Sequence, residues 1–355
     1  MAAANGQNNA PQQFVRALRR ERIFRDRFDP LQNYDGFELY QRFRFDREGI
    51  LFINDIVKDY IAPATGRNHS LPSFLQVLLA LRFYATGKMQ LCSGDNFNVD
   101  QSTVSRVIQR VTNALNRQEV VTKFISFPIS AEAVRKHQAD FYAVARFPGV
   151  IGAIDGTHIC ILRPSINEPE FVNRKNFHSI NVQIVVDANS RILDLVARWP
   201  GSAHDARILR ESGLARIFEA RMVPVKCHLL GDSGYPCKNW LLTPYLNPLP
   251  GQQTRYNSAH KTTRCIVERA IGQWKRRFHV LHGEIRLRPE RVCKLITACG
   301  ILHNIAKLLN MPQLDNDDDD DEDGDDGNCD GDANSIQEDP VDGRAYRTHI
   351  VCNHF

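Results

Sequence analysis

Val150-Ile151-Gly152-Ala153-Ile154-Asp155-Gly156-Thr157-His158 is an apolar run that ends on a single carboxylate. Residues 150–154 have the length and β-branched content of a buried strand, and a second apolar run, 158–162, follows the Asp-Gly pair. Asp-Gly between two such runs is also a strong turn signal, so Asp155 reads in two ways. It is either the corner of a hairpin or a carboxylate at the exit of a buried strand. In the second case something positive has to meet it, because an unpaired buried charge is expensive. The same text recurs downstream in His228-Leu229-Leu230-Gly231-Asp232-Ser233-Gly234-Tyr235. There the plain alternative is a loop start rich in Gly and Pro.

Outward from these two stretches the pattern is α/β. Residues 180–186 and 191–199 are β-rich and flank Asp187-Ala188-Asn189-Ser190, which predicts a hairpin. Strands followed by connecting helices, another strand and further helices predict a mixed sheet flanked by helices. A basic helix is expected over 261–278, with Arg264, Glu268, Ile271 or Gly272, and Lys275 on one side. Taken alone, Glu268 is an ordinary surface glutamate, paired with Arg264 or Arg269 for little gain. Together, two strand-end aspartates and a helix-borne glutamate suit a pair of Mg²⁺ ions, which take hard oxygen ligands. Such a pair drives in-line attack on a phosphodiester. A final amphipathic helix, 289–310, reads as packing.

Ahead of the α/β region the text is helical. Residues 1–12 read as disordered, and 14–60 are basic and aromatic with short helices. Ser70 is placed to cap a helix opening near Pro72 and closed by Gly87. Asp100 is placed to cap a second helix, 101–116, whose stripe is Val104, Ile108, Val111 and Leu115 with Val107 beside it. Its other face carries Gln101, Ser102, Ser105, Arg106, Gln109 and Arg110. That face suits a recognition helix in the major groove, with an inert bundle helix as the alternative. The expected organisation is an N-terminal arm (1–68), a helix-turn-helix-like region (69–130), an α/β domain (145–312) and an acidic, disordered tail (313–355).

Charge divides along the same lines. Residues 315–355 hold 15 Asp and Glu against 2 Lys and Arg, leaving the first 314 residues at +17 within a net of +4. A basic body points to a polyanionic partner, and an acidic tail can compete for the same surface. The nine cysteines are scattered without a Cys-x-x-Cys pair, which excludes a zinc ribbon and fits a reducing compartment. No signal peptide is visible, and the longest apolar run, around 74–85, is too short to span a bilayer.

Several longer blocks carry a resemblance. Asn257-Ser258-Ala259-His260, followed by Arg264-Cys265-Ile266-Val267-Glu268-Arg269-Ala270-Ile271-Gly272-Gln273-Trp274-Lys275-Arg276-Arg277-Phe278, resembles the C-terminal signature of PIF/Harbinger transposases. Asn173-Arg174-Lys175-Asn176-Phe177-His178-Ser179-Ile180-Asn181, Trp199-Pro200-Gly201-Ser202-Ala203-His204-Asp205, Leu230 to Pro236 and Leu302-His303-Asn304 match its other blocks. The likeness covers about 70–310 and is greatest to the domesticated, Harbinger-derived nuclease branch of animals. It departs at Ala270, where relatives often carry a bulky aromatic.

The resemblance implies an RNase H-like DDE domain that uses a divalent metal, Mg²⁺ or Mn²⁺. It implies Asp155, Asp232 and Glu268 as the catalytic acids, and Asp205 as a fourth metal ligand, with a helix N-cap as the plain role of Asp205. Candidate DNA contacts are Arg106, Gln109 and Arg110 on the recognition helix, and Arg174, Lys175, Arg264 and Lys275 near the acids. His158 and His204 read as packing or hydrogen-bonding residues. The leading expectation is a metal-dependent DNA endonuclease. The alternatives are a catalytically silent DNA-binding protein on the same fold and a fully active transposase. A nuclear location, with cytoplasmic residence besides, and a separate Myb-like DNA-binding partner belong to the same expectation. Oligomeric state stays open.

Overall fold

A computed structural model describes residues 28–63, 70–313 and 341–355. The expectations for 1–27 and for the Asp-rich run 314–340 lie outside the described residues.

Among the described residues, eight helices precede the sheet: α1 (Pro30–Asn33), α2 (Gly36–Phe43), α3 (Arg47–Ile61), α4 (Ser73–Thr86), α5 (Gln90–Phe97), α6 (Gln101–Leu115), α7 (Gln118–Phe124) and α8 (Ala131–Ala145). Several starts are set by side-chain oxygens that satisfy orphan N–H groups. Asp35 and Glu38 form a capping box on α2, Asp46 accepts from Gly49 N on α3, and Ser130 accepts from Ala133 N on α8. The caps expected from Ser70 and Asp100 do not form. Pro72 stands at the N-cap of α4, and Asp100 is at the N-cap of α6 without a side-chain capping bond. Gly87, at φ +63°, closes α4 as expected.

Only residues 98–100 separate α5 from α6. The turn is that tight because Asn98 takes a left-handed conformation and Gly94 lets the Val99 carbonyl come within 2.5 Å of where a Cβ would stand. Val104, Val107, Ile108, Val111 and Leu115 are buried, and α6 packs on α3, α4, α5 and the later helix α13. The expected stripe is therefore an inner face, and Arg106, Gln109 and Arg110 lie outside it, exposed.

The sheet holds β1 (Val150–Cys160), β2 (Ser179–Val186), β3 (Ile192–Pro200), β4 (His228–Leu230) and β5 (Leu241–Leu242), in the order β3-β2-β1-β4-β5. β1 pairs antiparallel with β2 and β2 with β3; β4 pairs parallel with β1, and β5 parallel with β4. This mixed sheet, helix-covered, is the RNase H-like arrangement. Short helices α9 (Glu168–Phe171), α10 (Asp205–Arg210) and α11 (Gly213–Glu219) fill the connections. Then come α12 (Gln252–Arg277), a 3₁₀ turn (His279–Leu281), α13 (Pro289–Leu308) and α14 (Val341–His354). The Glu268 helix thus starts nine residues before the expected Lys261. Gly251, at φ +101° after Pro248 and Pro250, sets its start.

One apolar core runs from Leu31 through α3, α4 and α6 to Trp274 on α12, the buried face of α13 and Val351 on α14. A second, smaller core lies on the other side of the sheet among Ile151, Ile154, Leu209, Leu214, Phe218 and Trp240. The Leu302-His303-Asn304 block has a mechanical role. Asn304 accepts from Ile192 N and donates to the carbonyls of Ile192 and Phe124, and the His303 ring bonds Ser190 O, so α13 pins the β2–β3 hairpin.

The expectation of a disordered tail to residue 355 is corrected for 341–355. Here the chain forms α14 and docks. Tyr346 bonds the His228 ring at 3.2 Å, and Arg347 Nη1 donates to the carbonyls of Thr243 and Pro244 while its guanidinium stacks over Tyr245. Phe355 packs on Phe147 and Tyr256. A Cβ at Gly343 would lie 2.2 Å from Cys237 O, so the helix backbone touches the loop directly. Composition hides this helix behind the acidic run, although Tyr346, Ile350, Val351 and Phe355 keep helical spacing.

Candidate active site

The register of the parallel pair builds the site. Val150 pairs with His228 and Gly152 with Leu229, which leaves Ile151 as the extra residue of a β-bulge; Ala153 then pairs with Leu230. Asp155 and Asp232 each stand two residues beyond that last pair, at the same level of the sheet. The bulge also re-phases β1. Ile151 belongs to the smaller core, whereas Asp155, four residues on, reaches α12 on the opposite face. Asp155 is therefore not a hairpin corner. β1 runs unbroken through it and pairs with β2 from Ala153 to Cys160.

Asp205 is the first residue of α10, and the N-cap is His204, so a capping role for Asp205 is excluded. Its Oδ1 accepts from Asn181 Nδ2 at 2.9 Å, and a Cβ at Gly156 would fall 2.6 Å from it. The glycine after Asp155 thus answers to the close approach of another carboxylate, not to a turn. Asp232 Oδ1 accepts from Gly234 N at 3.1 Å. Asp155 Oδ1 accepts from Gly156 N at 2.9 Å, and its Oδ2 from Arg264 Nη1 at 3.1 Å. Arg264 Nη2 reaches Glu268 Oε1 one helical turn along α12. The Arg264 side chain is 12% exposed, and its guanidinium bridges the mid-strand acid to the rim glutamate.

Electrostatics record the crowding. Burial pushes the Asp155 carboxyl up to about 7; Arg264 opposes the rise, and Asp232 and Asp205 add to it. Burial likewise raises Asp205, against Asn181 and with Asp232, and raises Asp232, against Arg264 and with Glu268. Three desolvated carboxylates sharing one space call for a cation.

The donor set fits a hard divalent ion: Asp155, Asp205 and Asp232, with Glu268 at the rim. Orphaned polar atoms point the same way. The Tyr235 hydroxyl, Asn181 Oδ1 and both amide atoms of Gln183 are buried with no hydrogen-bond partner among the described residues. Gln183 stands across from Gly156 in the β1–β2 register. Waters on a hydrated cation would satisfy such groups. Among the described residues no three His, Cys, Asp or Glu side chains are drawn into a ready metal cage, and Arg264 stands between two of the four acids.

Residues 154–304, from the end of the first apolar run to Asn304, match the family described as DDE superfamily endonuclease. The chain is 35% identical over 284 residues to the mouse (Mus musculus) protein named "Putative nuclease HARBI1", covering 79% of this chain and 80% of that one. It is 30% identical over 322 residues to the Xenopus laevis protein of the same name, covering 89% and 90%. The chain belongs to the Harbinger-derived nucleases of the DDE superfamily. An Arabidopsis thaliana protein named "Protein ALP1-like" is 29% identical over 286 residues, 74% of this chain and 69% of that one. No solved structure matches.

Harbinger-derived nucleases have a transposase origin, and endonucleases of this superfamily generally use divalent metal ions on DNA. The seven basic and amide candidates for DNA contact fall into two groups. Arg174 sits on the 173–178 turn, built by Asn173 Oδ1 accepting from Lys175 N and Phe177 N, and meets the His204 ring at 2.6 Å beside Asp205. Lys175 is exposed on the same turn. Lys275 donates to His158 O at the end of β1, and Arg264 is inside the acid cluster, not at its edge. Arg106, Gln109 and Arg110 lie apart on α6, where Arg106 bonds Ser102 O and Arg110 bonds Gln76 Oε1. His158 bonds Ser179 Oγ, as a hydrogen-bonding residue would.

Sequence reasoning missed Asn181, Gln183, Tyr235 and the approach at Gly156. The signal was present for two of them. Asn181 and Gln183 are amides in a strand that is buried at every position. In such a run each polar residue needs a reason.

Proposed function

We propose that this protein is a divalent-metal-dependent DNA endonuclease whose acids are Asp155, Asp232 and Glu268, with Asp205 as a further metal ligand. The supporting observation is the parallel register that sets Asp155, within β1, beside Asp232, just past the end of β4, under a helix carrying Glu268. Divalent cations bound between these carboxylates would supply an activated water and neutralise the leaving 3′ oxygen. The chain's own residues do the rest. Asn181 fixes the Asp205 carboxylate, whose close approach Gly156 permits, Gly234 N fixes Asp232, and Arg174 and Lys275 flank the acids where a phosphodiester backbone would run. Arg106, Gln109 and Arg110 extend the same DNA contact on α6. A nuclear location, cytoplasmic residence besides, and assistance from a Myb-like DNA-binding protein complete the proposal.

The test is nicking of supercoiled plasmid by purified protein with Mg²⁺ or Mn²⁺. Wild type should nick and Asp155→Ala should lose at least about a hundred-fold of the rate, the scale of removing a principal catalytic group. Equal nicking by the two proteins would defeat the reading. One observation favours a second reading, a silent DNA-binding protein: Arg264 already neutralises Asp155 and Glu268. In that case neither protein nicks while both bind duplex DNA.

A further inference from the structure

The acid cluster contains its own cation. Arg264 engages Asp155 Oδ2 and Glu268 Oε1, oxygens of two of the acids proposed to hold a divalent ion. It is also the guanidinium that opposes the upward shift of both Asp155 and Asp232. The bridge is built into the local sequence. Arg264 and Glu268 are i and i+4 on α12, whose buried stripe of Tyr256, His260, Thr263, Val267, Ala270 and Trp274 fixes the helix rotation against β1. The guanidinium keeps an outlet: the Arg264 side chain is 12% exposed and Glu268, its outer partner, is 43% exposed. Arg174 and Lys275 stand on the same rim.

We propose that Arg264 is an exchangeable counter-ion: it holds the carboxylates apart from metal, and divalent ions displace it toward the DNA backbone. The inference rests on the metal-dependent reading above and adds to it a coupling between the two ligands. A metal that binds only after Arg264 leaves Asp155 and Glu268 makes the guanidinium available for phosphate. By linkage, DNA that captures the freed guanidinium then tightens the metal by the same factor. Arginine suits this exchange, because its fork matches carboxylate and phosphate geometry alike.

The experiment measures Mn²⁺ affinity without DNA, from the electron paramagnetic resonance signal of free Mn²⁺, for wild type, Arg264→Gln and Arg264→Lys. Circular dichroism and thermal midpoints in EDTA confirm that each is folded. The Gln variant should bind Mn²⁺ at least about five-fold more tightly than wild type, a factor typical of allosteric coupling. The Lys variant separates displacement from simple charge. It keeps the positive charge but cannot bridge two carboxylates with a fork, so it should also bind more tightly than wild type. In parallel, Ca²⁺ should raise the affinity of wild type for a duplex of arbitrary sequence several-fold, and this gain should be lost in Arg264→Gln. Mn²⁺ affinities equal across all three proteins overturn the inference while leaving the metal reading intact, as does a Lys variant indistinguishable from wild type. Absence of Mn²⁺ binding in all three proteins removes the metal reading itself.

Discussion

Asp155 shows how much one position carries. Its carboxyl is shifted from 3.8 to about 7 by burial, so in the metal-free protein it is a source of instability when ionised. The sign is fixed by linkage. Between about pH 4 and pH 7 the folded state holds a proton that the unfolded state has released, so stability present at low pH is lost as pH rises through the folded value. Asp155→Asn should therefore melt higher than wild type in EDTA at pH 8, with the gap closing toward pH 5; a variant no more stable at pH 8 contradicts the assignment. Gly156 makes a second test. Gly156→Ala places a methyl 2.6 Å from Asp205 Oδ1, which has to move. We expect a loss of about 1–3 kcal/mol in urea unfolding, with weaker Mn²⁺ binding than an alanine substitution at an exposed helix position such as Gln109 produces. The Asp-Gly pair was legible as a motif, yet its physical reason was not. Sequence offers a turn or a strand exit for Asp155, and the structure gives neither: one strand, 150–160, carries it through, and the Ala153–Leu230 register and the arrival of Asp205 make it a site residue.

At the scale of elements, the readable parts were those whose pattern is local. The stripe of α6, the β2–β3 hairpin around Asp187 and the apolar face of α13 each follow from spacing alone. The start of α12 was misjudged because 252–260 is polar and has few apolar residues to mark a face; Tyr256 and His260 are buried there by α14, β5 and Phe147. Helix α14 itself was hidden by its neighbour in sequence. Its docking depends on Gly343, where the helix backbone meets Cys237 O. Gly343→Ala should lift the helix, with faster hydrogen exchange at 228–230 and 241–245 and a loss of about 1–3 kcal/mol. Unchanged protection there would show that the contact is not needed. Because α14 also packs on α12, the same variant reports whether the Glu268 helix leans on the C-terminal end of the chain.

Across the whole molecule, charge and core act at different ranges. The first 314 residues carry +17 and residues 315–355 carry −13. A shield of this kind weakens steeply with salt. Deleting 315–338, which spares α14, should raise affinity for nonspecific duplex DNA several-fold at about 0.05 M salt and much less at about 0.3 M. Unchanged affinity at low salt refutes the shielding role. This deletion is cleaner than removing everything to residue 355, which would also uncover His228, Phe147 and Tyr256.

The shared core has a consequence for how such a chain can change. Val104, Ile108 and Val111 of α6 belong to the same cluster as Trp274, Val292 and Leu302, so no seam divides the helix that faces outward from the sheet that bears the acids. Helix α6 and the acid-bearing sheet are therefore not exchangeable modules. A chimera that imports α4–α6 from a relative imports half of a packing problem, whereas substitutions at Arg106 and Gln109 leave the interior untouched and one at Arg110 takes a hydrogen-bond donor from the buried Gln76. Under the DNA-contact role proposed for α6, retargeting is confined to the outside of that helix.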